Sequence, residues 1–416
     1  MRMKLNKSSQ LALAVPVSLL AATLVTACSQ LTQTLTVDFV YVTSAVAAGS
    51  NNYGEIDVYE INSESGRMRP ITTSPFPSQG RNPVAEAVSS DYGSLFVVNE
   101  DDNTIVQFII GSDGKLYPYN TVNTPGIFPM AITTNKSFVF VVDLYEPLPI
   151  CSSAEPCPGS ISVIPLTAAS GSTPVAMGTA VTNSAISGQY WPLTLSGSSA
   201  SHVVVPTSVN VLASGSYVYV TAYDSTVSPH VGYVFAYAVG SDGTLTAVSG
   251  SPFSAGVRPS GISSDASSAY VYVTDFTSGN VRSYKVGSSG GLTAVSGSPF
   301  KAGGEPSAIV VNPTYPFAYV TNYLDSTVTA YSISNGVLTS VGSYSVGLEP
   351  VAIGVDPSTN RFLYTANFLG NTVSGFELST TAGTLLESQF SPFASNNNPT
   401  AVAAVPHNGT GAGITK

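Results

Sequence analysis

The chain has 416 residues, 14 basic and 24 acidic side chains and a net charge of −10, with 43% hydrophobic and only 9% charged residues. So few Lys and Arg exclude a nucleic-acid binder, whose affinity comes from clustered cations, and the apolar content excludes a disordered chain. With 37 Gly, 28 Pro and 22 Tyr, the composition is that of many short strands joined by turns.

Residues 1–27 read as a signal peptide. Arg2, Lys4 and Lys7 form a basic stub, residues 11–24 are apolar apart from Pro16, Ser18 and Thr23, and small residues lead to Cys28. The stretch suits export and is too short to span a bilayer comfortably. Leu24-Val25-Thr26-Ala27-Cys28 resembles the lipobox of bacterial lipoproteins. That resemblance implies acylation of Cys28, which becomes the first mature residue, and residues 28–38 as a lipidated tether. Ser29 in the second mature position resembles lipoproteins directed to the outer membrane. The expected location is therefore the bacterial cell envelope, with a lipid anchor that does not span the membrane.

From residue 39 onward one pattern recurs seven times: a proline, an apolar strand, a second strand closing on a short signature, a turn and a third strand. The signatures are Tyr41-Val42-Thr43-Ser44, Phe96-Val97-Val98-Asn99, Phe140-Val141-Val142-Asp143, Tyr219-Val220-Thr221-Ala222, Tyr272-Val273-Thr274-Asp275, Tyr319-Val320-Thr321-Asn322 and Tyr364-Thr365-Ala366-Asn367. Successive signatures lie 55, 44, 79, 53, 47 and 45 residues apart. A second anchor, the proline ahead of each first strand, falls at Pro83, Pro129, Pro206, Pro259, Pro306, Pro350 and Pro399. The octapeptide Thr-Ala-Val-Ser-Gly-Ser-Pro-Phe occurs at 246–253 and again at 293–300. Helical periodicity is absent.

A unit of about 46 residues accommodates four short strands, the size of one propeller blade. The predicted fold is all-β, a seven-bladed β-propeller of four-stranded antiparallel blades over 39–405, followed by a flexible tail at 406–416. The pattern is circularly offset. It opens on a second strand at 39–43 and ends on an orphan first strand at 400–405, which is predicted to pair into the first blade and remove two exposed sheet edges.

Loop lengths single out one face. Counted from the second residue of the signature to the start of the third strand, the offset is 8 residues in four blades but 14, 20 and 14 in the first, third and fourth. The third blade also carries extra sequence at 182–201 with Tyr190 and the single tryptophan, Trp191. Its loop holds Cys151 and Cys157, which in an exported chain are expected to form a local disulfide worth roughly 2–3 kcal/mol. Two thiolates without a nearby His do not make a zinc shell, and neither metal nor cofactor is expected.

The residues preceding the prolines should ring the channel mouth on that face: Asn82 (after Arg81), Phe128, Val205, Arg258, Glu305, Glu349 and Asn398. Arg258, Glu305 and Glu349 are the catalytic candidates, since an Arg can polarise a carbonyl and a Glu can act as general base. Salt bridging between blades is the structural alternative. Ligand-binding candidates are Arg81, Glu86, Tyr190, Trp191 and His230, although Trp191 equally suits pinning the insertion to its blade. Asn99-Glu100-Asp101-Asp102 lacks calcium-loop spacing and reads as a solvated turn.

The Tyr-Val-Thr-Asn-like runs and the Ser-Pro-Phe steps at Ser74, Ser251, Ser298 and Ser391 resemble the YVTN-type repeats of the β-propeller lactonase family. The resemblance implies this fold, with His, Arg and Glu in a central funnel, at His-containing first strands and Asn-Arg steps after the second strand. Here those steps read Asn322-Tyr323 and Asn367-Phe368, and no first strand carries a His. Two readings follow. The first is a monomeric, non-enzymatic, envelope-anchored propeller that presents its rim to a glycan, small molecule or protein; the departures weigh toward it. The second is a lactone or ester hydrolase acting in the funnel.

Overall fold

Every repeat folds into an antiparallel sheet whose strands succeed one another from the channel outward. The computed structural model describes residues 36–171, 173–195 and 202–407, and no helix occurs among them. The leader, Cys28, most of the tether and residues 408–416 lie outside the described residues. Blade two is the simplest, with Pro83–Val88, Ser94–Asn99, Thr104–Ile110 and Leu116–Asn123 in order from inner to outer strand. The inner strands of blades three to seven are Ile127–Thr134, Val204–Val211, Pro259–Ser264, Pro306–Val311 and Pro350–Val355.

Blade one takes its inner strand from the far end of the chain. Pro399–Pro406 pairs antiparallel with Thr36–Ala48, setting Val40 opposite Ala404, Tyr41 opposite Ala403, Val42 opposite Val402 and Thr43 opposite Ala401. Each inner strand touches those of both neighbouring blades, and Pro399–Pro406 sits between Pro350–Val355 and Pro83–Val88, so the ring closes. The core lies between blades. One apolar cluster, for example, joins Val40, Val42 and Tyr59 of blade one to Phe362, Tyr364 and Val373 of blade seven.

The repeated motifs have structural explanations. The five signature tyrosines are buried, and in all but Tyr272 the hydroxyl donates to the carbonyl of the turn glycine in the next blade: Tyr41 to Gly114 (3.0 Å), Tyr219 to Gly290 (2.8 Å), Tyr319 to Gly383 (3.2 Å) and Tyr364 to Gly66 (3.2 Å). In the Ser-Pro-Phe steps the phenylalanine pairs with the third strand, Phe253 opposite Val234 and Phe300 opposite Val281. The serine hydroxyl accepts the third-strand amide left open where the outer strand breaks, as with Ser74 and Val58 N (2.9 Å), Ser251 and Ala236 N (2.9 Å), and Ser298 and Ser283 N (3.0 Å). Blades two and six have unbroken outer strands, Leu116–Asn123 and Val337–Ser345, and lack the step.

Each inner strand carries a register shift just after its proline, as between Pro83 and Ala85, Pro206 and Ser208, Pro306 and Ala308, and Pro350 and Ala352. A bulge of this kind leaves one residue unpaired and turns its side chain out of the ladder. The seven residues so placed are Val84, Met130, Thr207, Ser260, Ser307, Val351 and Thr400.

Four carboxyls are held away from water. Burial pushes Asp38 up to about 7, Asp57 to about 6, Glu86 to about 8 and Asp143 to about 7, in each case against hydrogen bonds that favour the ionised form. Glu86 accepts from the Thr43 hydroxyl and the Ala403 amide and thus buttresses the closing strand pair.

Two outcomes are expected. Removing residues 399–416 strips blade one of its inner strand and exposes two edges, so the cooperative thermal transition followed by circular dichroism should be lost and the protein should aggregate on size-exclusion chromatography. For pH, the folded values of the four carboxyls exceed the ordinary 3.8 to 4.5, so the folded state binds more protons than the unfolded one between about pH 4 and pH 8. Stability should therefore fall as pH rises through that window and level off above it. Calorimetry should give a higher Tm at pH 5 than at pH 8, with a shallower slope for Glu86→Gln; a Tm rising from pH 5 to pH 8 would contradict the sign.

Candidate functional site

The seven bulged side chains converge where the inner strands begin. Val84, Met130, Thr207, Ser260, Ser307, Val351 and Thr400, with Ile262, Ile309 and Phe368, line a cavity of about 370 Å³. Three of its hydroxyls also tie inner strands together: Ser260 Oγ donates to the Pro306 carbonyl (2.5 Å), Ser307 Oγ to that of Pro350 (2.6 Å) and Thr400 Oγ1 to that of Pro83 (2.9 Å). The cavity floor thus carries four hydroxyl and three apolar side chains from the bulges.

Above this floor lie the residues before the prolines. Asn82, Phe128, Glu305, Glu349 and Asn398 all have φ between 51° and 58°. Left-handed backbone of this kind costs non-glycine residues of order 1 kcal/mol or more and clusters at functional sites. The same backbone pattern recurs beside them, the amide after the second strand donating to the pre-proline carbonyl: Glu100 to Asn82, Phe276 to Arg258, Tyr323 to Glu305 and Phe368 to Glu349, each at 2.8–2.9 Å. In blades four to seven the residue so placed is aromatic, namely Tyr223, Phe276, Tyr323 and Phe368.

Arg258 is built into this arc. Buried Asp275 accepts the backbone amides of Val257 (2.9 Å) and Arg258 (3.1 Å), and Gly256 takes φ 91° ahead of them. The guanidinium lies 5.5 Å from the Tyr223 ring centre and 4.9 Å from that of Phe276. Phe276 contacts Tyr323 at 5.9 Å, and the Tyr323 hydroxyl donates to Glu349 Oε2 at 2.6 Å. That hydrogen bond, with partial burial, pushes the Tyr323 phenol up to about 12, so it remains a donor. His230 stacks on Tyr223 at 5.0 Å; its Nδ1–H donates to the Val227 carbonyl (2.9 Å), leaving Nε2 as an acceptor. The contact chain runs His230, Tyr223, Arg258, Phe276, Tyr323, Glu349.

Of the expected residues, Arg258, Glu349 and His230 thus share one network, and Glu305 stands on the next blade in the equivalent position. The salt bridges of the described residues do not include Arg258, so the blade-to-blade ion pairing considered above does not form there. Arg81, Glu86, Trp191 and Tyr190 stand apart from this network, and the expected disulfide is present. Arg81 is engaged by Asp102, with its amide and Nε each at 2.7 Å from that carboxylate, and holds a turn together. Glu86 belongs to the strand closure. Trp191 is buried, pairs opposite Ile161 and packs in the core of blades three and four, because its insertion needs an apolar anchor. Tyr190 shares a hydrogen bond with Glu146. Cys151 and Cys157 form a disulfide and pack against Tyr145, with Phe128 and Ile127 alongside.

The extended loops take two forms. In blades one and four they prolong the hairpins, Thr36–Ala48 with Tyr53–Asn62 and Tyr217–Asp224 with Val231–Val239, while in blade three the disulfide gathers the loop. Reasoning from the sequence overlooked the aromatic arc, although an aromatic follows the signature in four successive blades. His202, which sits in no catalytic or metal-ligand spacing in the sequence, has its Nδ1 2.5 Å from Asp224 Oδ2 at the base of the fourth-blade loop.

A ring of seven closed blades with an aromatic and charged mouth defines a seven-bladed β-propeller with a built funnel. Residues 292–404 match the family described as "Lactonase, 7-bladed beta-propeller". The fold is similar to that of a candidate 6-phosphogluconolactonase from Bacteroides fragilis, at 19% identity and a TM-score of 0.70 over 90% of this chain and 99% of that one. It is also similar to a periplasmic gluconolactonase from Pseudomonas aeruginosa, at 19% identity and a TM-score of 0.66 over 89% of this chain and 99% of that one. No curated protein matches the sequence.

The position of Trp191 has a direct test. As the chain's one tryptophan, it should emit at blue-shifted wavelengths and be quenched weakly by acrylamide in the folded protein. Strong quenching would place it on the rim.

Proposed function

We propose that the chain is a hydrolase that opens a lactone, or a related cyclic ester, at the mouth of the propeller channel. The observation that carries this reading is Arg258, a guanidinium framed by Tyr223 and Phe276 and outside the ion pairs of the described residues, with Glu305 at the equivalent position of the next blade. The family description and the names of the two similar proteins support the same chemistry. The funnel lacks first-strand histidines, so the roles fall to other side chains. The ester ring stacks on the aromatic arc, with its carbonyl toward Arg258.

Glu305 takes a proton from water as the water oxygen bonds to the carbonyl carbon. The carbonyl electrons pass to oxygen, and the oxyanion is met by the Arg258 N–H groups. Collapse restores the C=O and breaks the ring C–O bond, and the departing alkoxide receives the proton from Glu305. The product is a hydroxy acid. Glu349, held by Tyr323, and His230, held by Val227, frame the opposite sides of the arc.

The lipobox-like run at Cys28 supports an anchored, envelope-facing form of this enzyme. A rim that only binds a glycan or small molecule would use the same arc, and turnover separates the two. The full-length protein should hydrolyse simple lactones, followed by acid release. Arg258→Ala and Glu305→Gln should each lower kcat/KM by about 100-fold or more while leaving the thermal transition in place. Absence of turnover across five- and six-membered lactones, or variants as active as the parent, would overturn the proposal.

A further inference from the structure

The walls of the mouth bear on which lactone enters, an inference that rests on the hydrolase reading. Of the arginines near the mouth, Arg81 is committed to Asp102 and Arg282 lies 3.9 Å from Asp275, which leaves Arg258. The loops that follow the second strands or precede the inner strands also carry Glu100, Asp101, Glu305, Asp325 and Glu349. Phosphate recognition calls for several converging cations, Arg above all, and like charges at this density repel a dianion. The mouth is therefore built against a phosphorylated substrate.

What it offers instead is apolar. Leu324, Leu348 and Leu369 are 66%, 56% and 54% exposed. Scattered exposed leucines are ordinary, but these three are consecutive features of one edge. Leu324 follows Tyr323, its amide donates to the Gly304 carbonyl, and its side chain lies over Gly304, next to Glu305. Leu348 precedes Glu349 and accepts the Gly370 amide at 3.1 Å, while Leu369 follows Phe368. Each leucine is thus one residue away from a member of the arc or its carboxylate pair, on blades six and seven. The floor beneath continues the apolar surface through Val351, Ile309 and Phe368.

We propose that the substrate is an unphosphorylated lactone bearing an aliphatic chain. Its ring lies on Tyr223, Phe276, Tyr323 and Phe368, and its chain runs over Leu324, Leu348 and Leu369. Such a chain explains why an edge beside a reactive centre would keep three leucines in water: it covers them on binding, and each buried methylene adds to the attraction.

The test uses the full-length protein with δ-lactones substituted by methyl, butyl and hexyl chains, together with 6-phosphogluconolactone. The expected result is a kcat/KM that rises about ten-fold or more from methyl to hexyl, with the phosphorylated lactone slowest. The double variant Leu348→Ser/Leu369→Ser should bring the hexyl-to-methyl ratio close to one. A flat series, or preference for the phosphorylated lactone, overturns the inference while leaving lactone hydrolysis intact. In parallel, binding of the matching non-hydrolysable lactams is followed by calorimetry. If no lactone is turned over, lactam affinity that climbs with chain length upholds the ligand class and sinks only the catalysis. Affinity independent of chain length sinks the inference as well.

Discussion

The strand pair between Thr36–Ala48 and Pro399–Pro406 is the interaction on which the molecule depends. Seven sheets that each bury their faces against neighbours form a stable ring only if the first and last also meet; otherwise two apolar sheet faces and two ladders of unpaired backbone groups stay in water. Closure joins residues more than 350 positions apart, and several side chains reinforce it. Glu86 reaches Thr43 across the junction, Thr400 reaches Pro83, and Asp57 accepts the Asn396 amide. Placing Glu86 in so dry a setting opposes its ionisation.

Closure also makes the site. Once the inner strands are locked around an axis, a bulge after each proline aims one side chain inward, and in five of the seven blades the residue before the proline takes a left-handed turn. The scaffold therefore repeats one local geometry seven times and varies only the residue identities. Small hydroxyls and aliphatics fill the floor, while aromatic and charged groups occupy four adjacent blades above it. Chemistry is written onto a symmetric frame by breaking its symmetry in composition.

Much of this was legible in the primary structure. The spacing of prolines and tyrosine signatures, and the circular offset that leaves 400–405 without a partner, led directly to seven blades and to the strand that closes them. These features are legible because they answer to backbone requirements that recur in every unit. The position of the mouth followed from loop parity, and so did Arg258, Glu305 and Glu349. Side-chain alliances did not follow. Arg81 and Arg258 look alike in sequence, yet Arg81 turns to Asp102 while Arg258 lies between rings, because Asp275 claims its backbone and Phe276 lies beside it. Trp191 attracted a rim role through its size, but burial of its large apolar surface against Ile161 outweighs exposure. The arc went unnoticed because its members stand in different repeats and become neighbours only when blades are laid side by side.

The closing pair has a further consequence for handling the molecule. Thr36–Ala48 runs toward the mouth and Pro399–Pro406 runs away from it, so the described chain enters and leaves the ring on the reverse side. A bead, fusion partner or electrode coupled beside Pro406 would therefore attach on the face away from the channel mouth.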